Sequence, residues 1–467
     1  MELSERTIQR IGEVFEDVEL GDARLERRAV SLAQSLAKGP KESLPKVWST
    51  VAELEAGYQF LRNPRTGFAQ LMEAVQLATR ELALKEHRVL VVHDTTDVTC
   101  PSAEQEEVGF LPTGKAGFFV HHALCMSATE VKKPLGVLWS ECWGRAERTQ
   151  GRSKRKTAGS DYAQQQERES DRWLEGIAEA HAWAESCEQV VHVMDTEADA
   201  YRVFDLMQQL GADFVVRLRH NRRIDEGRLV ECLADAPIRV RRTVAVNARK
   251  GKTMPSHNHQ GRPARDVDLA VRCSRVAIQP PTYMPDAMPV ELNVVQILEE
   301  HPPEGAEPIA WVLATSLPLK TRTQIEFVID SYCARWLVEE LHKALKTGCM
   351  FEKRQLESFE SITTLLAFCY PIACELLRVR WRSRQPGILA RDVLRKSLLD
   401  CLRAHPHPKA RKMSAEPTAE EALLVIAGLA GHIQWNGPPG WEKLAAGYMA
   451  LLAFETGWLA ALASQKM

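Results

Sequence analysis

Hydrophobic and polar positions follow different spacings in successive parts of the chain. Residues 1 to about 70 show apolar positions every three to four residues, which predicts helices, with Asp22 beginning one of them and Gly39 ending it. From about residue 86 the apolar runs become short and rich in valine. These runs, RVLVVHD, HHALCMSA, GVLWSECW and QVVHVMD, predict strands. Helical stretches follow the later ones, and such alternation predicts an α/β sheet with parallel pairing.

Two later regions have patterns of their own. Residues 224 to about 320 contain short alternating runs between Gly and Pro turns, which predicts an antiparallel sheet inserted into the α/β region. The chain is helical beyond about residue 325, and its last helix is apolar on more than one face. That pattern favours burial in a self-association interface. The patterns therefore predict three domains: a helical domain at 1–70, an α/β domain at 71–365 that contains the insertion at 224–320, and a helical domain at 366–467.

One polar stretch interrupts this order. Residues 144–166, GRAERTQGRSKRKTAGSDYAQQQ, lack apolar periodicity, and we predict a mobile loop there.

Two acidic residues end apolar strand-like runs. Asp94 ends RVLVVHD and Asp195 ends QVVHVMD. A strand that ends in aspartate usually signals a turn or a helix cap, so neither position alone identifies a site.

A charged pattern in a later helix changes that interpretation. Tyr332, Arg335, Glu339 and Lys346 stand at positions i, i+3, i+7 and i+14, which predicts that they share one face of a single helix. A mixed charged face is usually just exposed to solvent. Combined with the two aspartates, however, Glu339 completes the set of three carboxylates that a two-metal phosphoryl-transfer site requires.

The chemistry of phosphodiester cleavage explains why these residue types fit together. It needs an oxygen nucleophile in line with phosphorus and relief of charge on the leaving oxygen, and two Mg²⁺ ions about 3.5–4 Å apart provide both. Such ions prefer carboxylate oxygens. We therefore expect the three carboxylates to bind two Mg²⁺ ions, with Mn²⁺ as a substitute. The neighbouring cations and the phenol would then bind phosphate.

Charge and composition narrow the function classes only slightly. The chain has 467 residues, 45% hydrophobic, with a formal net charge of −2, so nucleic-acid binding is not evident from total charge. Basic residues cluster around 152–156, 217–223 and 239–265, and together these clusters favour a phosphate-lined channel. Eleven scattered cysteines indicate reduced thiols. No apolar run is predicted to span a membrane, which favours a cytoplasmic protein.

The motifs resemble those of a known family. HDTTD, MDTEAD and the spacing Y-x2-R-x3-E-x6-K are similar to the three carboxylate motifs and the YREK signature of DDE transposases, in the group of insertion sequence four. Other similar stretches occur in the same order along nearly the whole chain: LGDARLERR, FLRNP, GFFVHH, ESDRWL, VVRLRH, GRPAR and GWEKL.

The resemblance implies both a fold and a set of site residues. The implied fold is an RNase H-like catalytic core with a β-rich insertion, flanked by an N-terminal DNA-binding domain and a C-terminal dimerisation domain, both helical. The implied catalytic metal ligands are Asp94, Asp195 and Glu339. The predicted contacts to double-stranded DNA are Tyr332, Arg335, Lys346, Lys343, Arg217, Arg219 and Trp311, the last by stacking on a flipped base.

The resemblance also implies an activity. We expect a homodimeric cut-and-paste transposase that acts on transposon ends and target DNA, associated with the bacterial nucleoid when bound. Two alternatives remain: a non-catalytic DNA-binding regulator of transposition, and an RNase H-like nuclease without strand transfer. The three carboxylates weigh against the regulator, and the YREK signature and β-rich insertion weigh against the simple nuclease.

Overall fold

The computed structural model describes residues 5–130, 132–145, 159–246, 252–253, 258–259, 263–304, 308–433 and 439–464. Its α-helices are α1 Glu5–Glu13, α2 Ala23–Lys38, α3 Leu44–Val47, α4 Val51–Leu61, α5 Phe68–Ala83, α6 Gln105–Val108, α7 Gly159–Ala184, α8 Tyr201–Leu210, α9 Leu229–Asp235, α10 Arg322–Ala334, α11 Trp336–Lys343, α12 Phe359–Arg382, α13 Lys396–Ala404, α14 Pro408–Arg411, α15 Ala419–Leu429 and α16 Trp441–Ser464.

The strands follow the same order along the chain. They are β1 Val89–Thr99, β2 Gly117–Ser127, β3 Pro134–Trp143, β4 Val190–Met194, β5 Asp213–Arg217, β6 Arg223–Ile224, β7 Gly227–Arg228, β8 Ile238–Val246, β9 Lys252–Thr253, β10 Asn258–His259, β11 Arg265–Ile278, β12 Val290–Glu299 and β13 Ala310–Thr315.

The chain forms two compact units. We call the first the helical unit; it comprises Met1–Lys85, Thr95–Gly151 and Leu337–Met467. The second, the sheet unit, comprises Glu86–Asp94 and Arg152–Trp336. Strand β1 contributes residues 89–94 to the sheet unit and residues 95–99 to the helical unit. The division predicted from sequence at residues 70 and 365 remains a prediction.

The sheet unit combines parallel and antiparallel strands. Its order is β1-β4-β5-β13-β12-β11-β6-β7, with β8 also paired to β11. The β1–β4 and β4–β5 pairs are parallel, whereas the pairs from β5–β13 to β11–β12 are antiparallel. Strand β4 is buried along its whole length, as expected for a parallel strand covered on both faces. Strand β12 mixes buried and partly exposed positions, as antiparallel strands commonly do.

Helices α7 and α8 cover this sheet through an apolar core. The core includes Ile177 of α7, Phe204 and Met207 of α8 and Phe214 of β5. The rings of Phe204 and Phe214 stack with their centroids 6.0 Å apart. Gly211 ends α8 in the left-handed conformation, with φ of 63°, so that β5 can begin two residues later. The predicted α/β class, an RNase H-like core with a β-rich insertion between helical regions, is confirmed.

The helical unit is built around α12. Phe368 of α12 packs against Phe15 and Phe60, with ring centroids 4.9 and 5.8 Å away. Helix α2 begins and ends as predicted, with Asp22 accepting a hydrogen bond from the backbone of Arg24 and Gly39 at the C-cap.

Two expectations about single segments were wrong. Helices α12 and α16 are long and apolar enough to cross a membrane by length and composition, whereas no such run was predicted. Helix α12 owes its apolar character to its position in the core, since 89% of its most apolar window is buried. The predicted loop at 144–166 is helical from Gly159, because Ala163 and the three glutamines that follow it are strong helix formers although the stretch is polar overall. Residues 146–158, which include the basic run at 152–156, lie outside the described residues.

Candidate functional site

The register of β1 and β4 aligns the segments that lead to the two aspartates. Val92 pairs with Val193 at the end of the parallel ladder; Asp94 stands two residues further along β1, and Asp195 stands two residues further along the chain, just past the end of β4. Because paired residues of parallel strands face the same side of a sheet, Val92 and Val193 share a face, and each aspartate follows its valine by two residues. The ladder therefore ends with the two aspartates on neighbouring segments of the chain.

Asp94 is held by a cation on the helix that follows the sheet. Arg335 Nη1 donates a hydrogen bond of 3.0 Å to Asp94 Oδ2. Both side chains are largely buried, with 11% of Asp94 and 15% of Arg335 exposed. A charge-assisted bond in such a place fixes the orientation of the carboxylate. Within the sheet unit, Asp94 and the start of the YREK stretch are thus joined by an ion pair.

Asp195 lies where β4 ends and a 3-10 turn begins. Its Oδ1 accepts a hydrogen bond of 2.8 Å from the backbone N–H of Glu197, so the side chain caps the turn Thr196–Ala198. The carboxylate is partly exposed. One oxygen is therefore oriented by the backbone. Carboxylates such as these offer oxygen donors, which suit a hard divalent cation such as Mg²⁺.

A third acidic residue in the same motif has a role that the sequence analysis missed. The Asp199 side chain is fully buried and accepts hydrogen bonds from the backbone N–H groups of Arg219 and His220, at 2.7 and 2.9 Å. It also accepts from Arg222 Nε at 2.6 Å. Asp199 therefore shapes the loop after β5. The repeat of aspartate four residues after Asp195 was the available signal.

An aromatic and cationic cluster lies on the same unit. The Trp311 ring meets Tyr332 edge-on, with centroids 5.4 Å apart, and Arg217 lies 5.6 Å from the Trp311 ring centre. Burial raises the pKa of Tyr332, although Arg217, which hydrogen-bonds the phenol, and Arg335 act in the opposite direction. The phenol therefore stays protonated and can donate. Three of the predicted DNA contacts, from β5, β13 and α10, are brought together here.

The helix that carries the YREK spacing is not one regular helix. Helix α10 ends at Ala334, α11 begins at Trp336, and a π-helical turn, Ala344–Gly348, follows α11. The break is small, because Arg335 keeps right-handed helical angles and its N–H bonds to the Tyr332 carbonyl. The π turn is the larger change. Its hydrogen bonds close a wider ring than those of an α-helix, so the side chains that follow leave the face predicted for a regular helix. The single-helix prediction was therefore wrong.

The helical unit carries the remaining acidic and basic residues of that spacing. The Glu339 side chain is 36% exposed, and its Oε2 lies 4.0 Å from Nδ1 of His342, one turn further along α11. Lys346, in the π turn, donates a hydrogen bond to the backbone carbonyl of Asp97. Its Nζ also lies 3.5 Å from Asp97 Oδ1.

The two other predicted DNA contacts are exposed. Lys343 Nζ pairs with Glu340 Oε1 at 3.3 Å on the surface of α11. The Arg219 side chain is exposed in the loop after β5, whereas its backbone N–H donates a hydrogen bond to Asp199. Exposure allows either residue to reach a phosphate, and the Glu340 carboxylate that pairs with Lys343 is itself largely buried, at 12% exposed.

Two protein-family models match the chain. The model described as Transposase DNA-binding matches residues 11–66, which contain α2 to α4. The model described as Transposase DDE domain matches residues 156–373, which contain Asp195, Trp311 and the stretch 332–346. Asp94 lies outside both ranges, so its place in the site rests on the β1–β4 register and on its bond to Arg335.

Proposed function

Because the chain belongs to the DDE transposases, we propose that it is a cut-and-paste transposase whose metal ligands are Asp94, Asp195 and Glu339. The observation that supports the proposal is the parallel β1–β4 register, in which Val92 pairs with Val193 two residues before Asp94 and Asp195. Glu339 follows Arg335 by four residues, and Arg335 is bonded to Asp94. When bound, divalent ions stabilise the charge that develops on the oxygens of the phosphodiester.

The remaining residues of the site bind and orient DNA. Arg335 and Lys346 supply fixed positive charge for backbone phosphates, and the protonated phenol of Tyr332 donates a hydrogen bond to a phosphate oxygen. Trp311, half-buried against Tyr332, offers an aromatic face on which an unstacked base can stack. Arg217, Arg219 and Lys343 add charge along the path of the strand.

The reaction would proceed through four transfers at phosphorus. Water nicks one strand at the element's end, and the freed 3′-OH attacks the opposite strand to form a hairpin. A second water opens the hairpin, and the same 3′-OH then joins target DNA. One carboxylate set can serve all four steps, because the attacking and leaving oxygens exchange places between them.

The partners are double-stranded DNA and a second copy of the chain. DNA binding by the N-terminal region is supported by the match over residues 11–66. Helix α16 exposes Met449 and Leu459, at 42% and 47%, which supports self-association through this helix in the DNA complex. The proposed location is the bacterial cytoplasm, with nucleoid association when DNA is bound.

The test is a cleavage assay with DNA that carries the repeats flanking the gene. Wild-type protein should give nicked and hairpinned ends in Mg²⁺ or Mn²⁺ and none in Ca²⁺, on a denaturing gel. Asp195→Ala should bind the same DNA but leave it uncut. Cleavage by Asp195→Ala would contradict the ligand assignment.

The assay also separates the rival functions. Binding without cleavage by the wild-type protein would favour a regulator of transposition. Cleavage without any hairpin or joined product would favour a simple nuclease.

A further inference from the structure

Glu352 occupies a 3-10 turn, Phe351–Lys353, just beyond the π turn that holds Lys346. Its Oε1 accepts two hydrogen bonds from Thr99, the last residue of β1. The backbone N–H and the hydroxyl of Thr99 each lie 2.9 Å from that oxygen. Because two donors from one residue hold it, and only 25% of the side chain is exposed, the carboxylate has a fixed place at the end of the strand.

The same oxygen faces Lys346. Lys346 Nζ lies 3.7 Å from Glu352 Oε1 and 3.5 Å from Asp97 Oδ1, and it donates to the Asp97 carbonyl. The ammonium is thus surrounded by three acceptors, two from β1 and one from the 3-10 turn. Lysine has a flexible four-carbon stem, so only such partners can confine its charge to one position.

We propose that Glu352 is a positioning residue for Lys346, one that sets the ammonium against the end of β1 before DNA binds. The inference rests on the proposed function, in which Lys346 binds a phosphate of the strand. A preset cation meets the phosphate without first losing side-chain freedom, which favours the reactive alignment of the scissile bond. Since Thr99 retains Glu352, the carboxylate stays in place when phosphate replaces it as the partner of Lys346.

The first test uses charge removal that spares the strand contact. In Glu352→Gln the amide oxygen can still accept from Thr99, but the charge facing Lys346 is gone. We expect the rate of the first nick at saturating DNA to fall about tenfold, with end binding unchanged within about twofold. Glu357→Gln is the matched control, since Glu357 is exposed five residues away and loses the same charge; its rate should match the wild type.

A double-mutant cycle distinguishes positioning from general support of the fold. If Glu352 acts through Lys346, adding Glu352→Gln to Lys346→Met should not slow the nick further. A second tenfold loss in that background would overturn the inference while leaving the proposed function intact. If Lys346→Met nicks DNA at the wild-type rate while Asp195→Asn is inactive, Lys346 has no role in the reaction and the inference fails. The inactivity of Asp195→Asn would show that the proposed function itself still holds.

A measurement without DNA keeps the inference testable if no substrate is cleaved. Acylation of Lys346 by a small amine-reactive ester can be followed in the free protein by peptide mass spectrometry. We expect Glu352→Gln to speed that modification about two- to fivefold, the range for a partly exposed ion pair, and Glu357→Gln to leave it unchanged. An unchanged rate in Glu352→Gln would overturn the inference.

Discussion

The two aspartates on the parallel strands and the cation in the π turn are held in place by different means. Asp94 and Asp195 take their positions from the backbone ladder between β1 and β4. Lys346 takes its position from side-chain and carbonyl acceptors on Asp97 and Glu352. A ladder defines a position through many hydrogen bonds, whereas the end of a lysine has only its immediate partners.

This difference fits the different tasks that we propose for the two regions. A metal ligand must hold its oxygen to within a fraction of an ångström, which a buried parallel strand achieves through its neighbours. A phosphate-binding cation must exchange one set of partners for another when DNA arrives, which suits a long side chain on a helical turn. Substitutions at strand positions should therefore abolish chemistry, whereas substitutions around the turn should weaken it.

The largest expected effect is the loss of a strand carboxylate. Asp94→Asn and Asp195→Asn should each reduce the rate of cleavage by more than about a hundredfold. Even the removal of a group that only hydrogen-bonds to a metal ligand can reduce activity by up to about a hundredfold. The two variants should differ in stability. Asp94→Asn removes the charged partner of Arg335 and should lower the free energy of unfolding by about 2 kcal/mol, while Asp195→Asn can keep its bond to Glu197.

Urea denaturation of the two variants would measure that difference. Equal stability of Asp94→Asn and Asp195→Asn would show that the Arg335 contact contributes nothing to the fold.

The segment after the π turn should be sensitive in its own way. Arg354 is buried and donates to three backbone carbonyls, those of Glu42, Pro40 and Cys349. Arg354→Ala leaves these acceptors without that donor and should reduce the free energy of unfolding by about 3 kcal/mol. The exposed neighbour Lys353 offers a control, since Lys353→Ala should change the free energy of unfolding by less than about 0.5 kcal/mol. Similar losses in both variants would refute the assigned role of Arg354.

A buried histidine on β2 should make the fold sensitive to acid. Burial, and then repulsion from His122, lowers the pKa of His121 from its usual 6.5 to about 3. Between these values the unfolded chain binds a proton that the folded chain does not, so stability falls as the pH drops below 6.5. From pH 6.5 to 5 the loss due to His121 is about 2 kcal/mol.

The corresponding control removes the titrating ring. His121→Gln can still hydrogen-bond Thr95, whose hydroxyl lies 2.9 Å from the His121 ring. The slope of unfolding free energy against pH should be shallower in this variant by about one proton. An unchanged slope between pH 5 and 6.5 would assign the acid sensitivity to other groups.

The smallest and most selective effect is expected at Trp311. Loss of base stacking costs about 1–3 kcal/mol, so Trp311→Ala should slow hairpin formation about tenfold and leave the first nick nearly unchanged. Trp311→Phe should retain most of the hairpin rate. Burst kinetics on end-labelled DNA would resolve the two steps, and equal slowing of both would remove the stacking role.

Much of the fold followed from local pattern. The valine-rich runs predicted the positions of β1 and β4, because a strand depends on the spacing of apolar residues over a short stretch. The alternation of strands and helices along the chain predicted the parallel pairing. The loop at 144–166 was mispredicted from Gly159 onward, because polarity was taken as disorder where the residues favour helix. The π turn was also missed, since Gly348 in its sequence, ALKTG, predicts the end of a helix and not a change in its hydrogen-bond pattern.

The sequence by itself determined which residue types follow apolar strand-like runs and which stand at helical spacing: Asp94, Asp195 and the run from Tyr332 to Lys346. These are local properties of the chain. Only the tertiary structure decided that the strands before Asp94 and Asp195 pair in register, that Asp199 organises the loop after β5, and that Glu352 joins Thr99 to Lys346. Glu352 and Thr99 are 253 residues apart, and no local periodicity encodes a contact over that separation. Such contacts arise from strand register and packing, which depend on the whole fold.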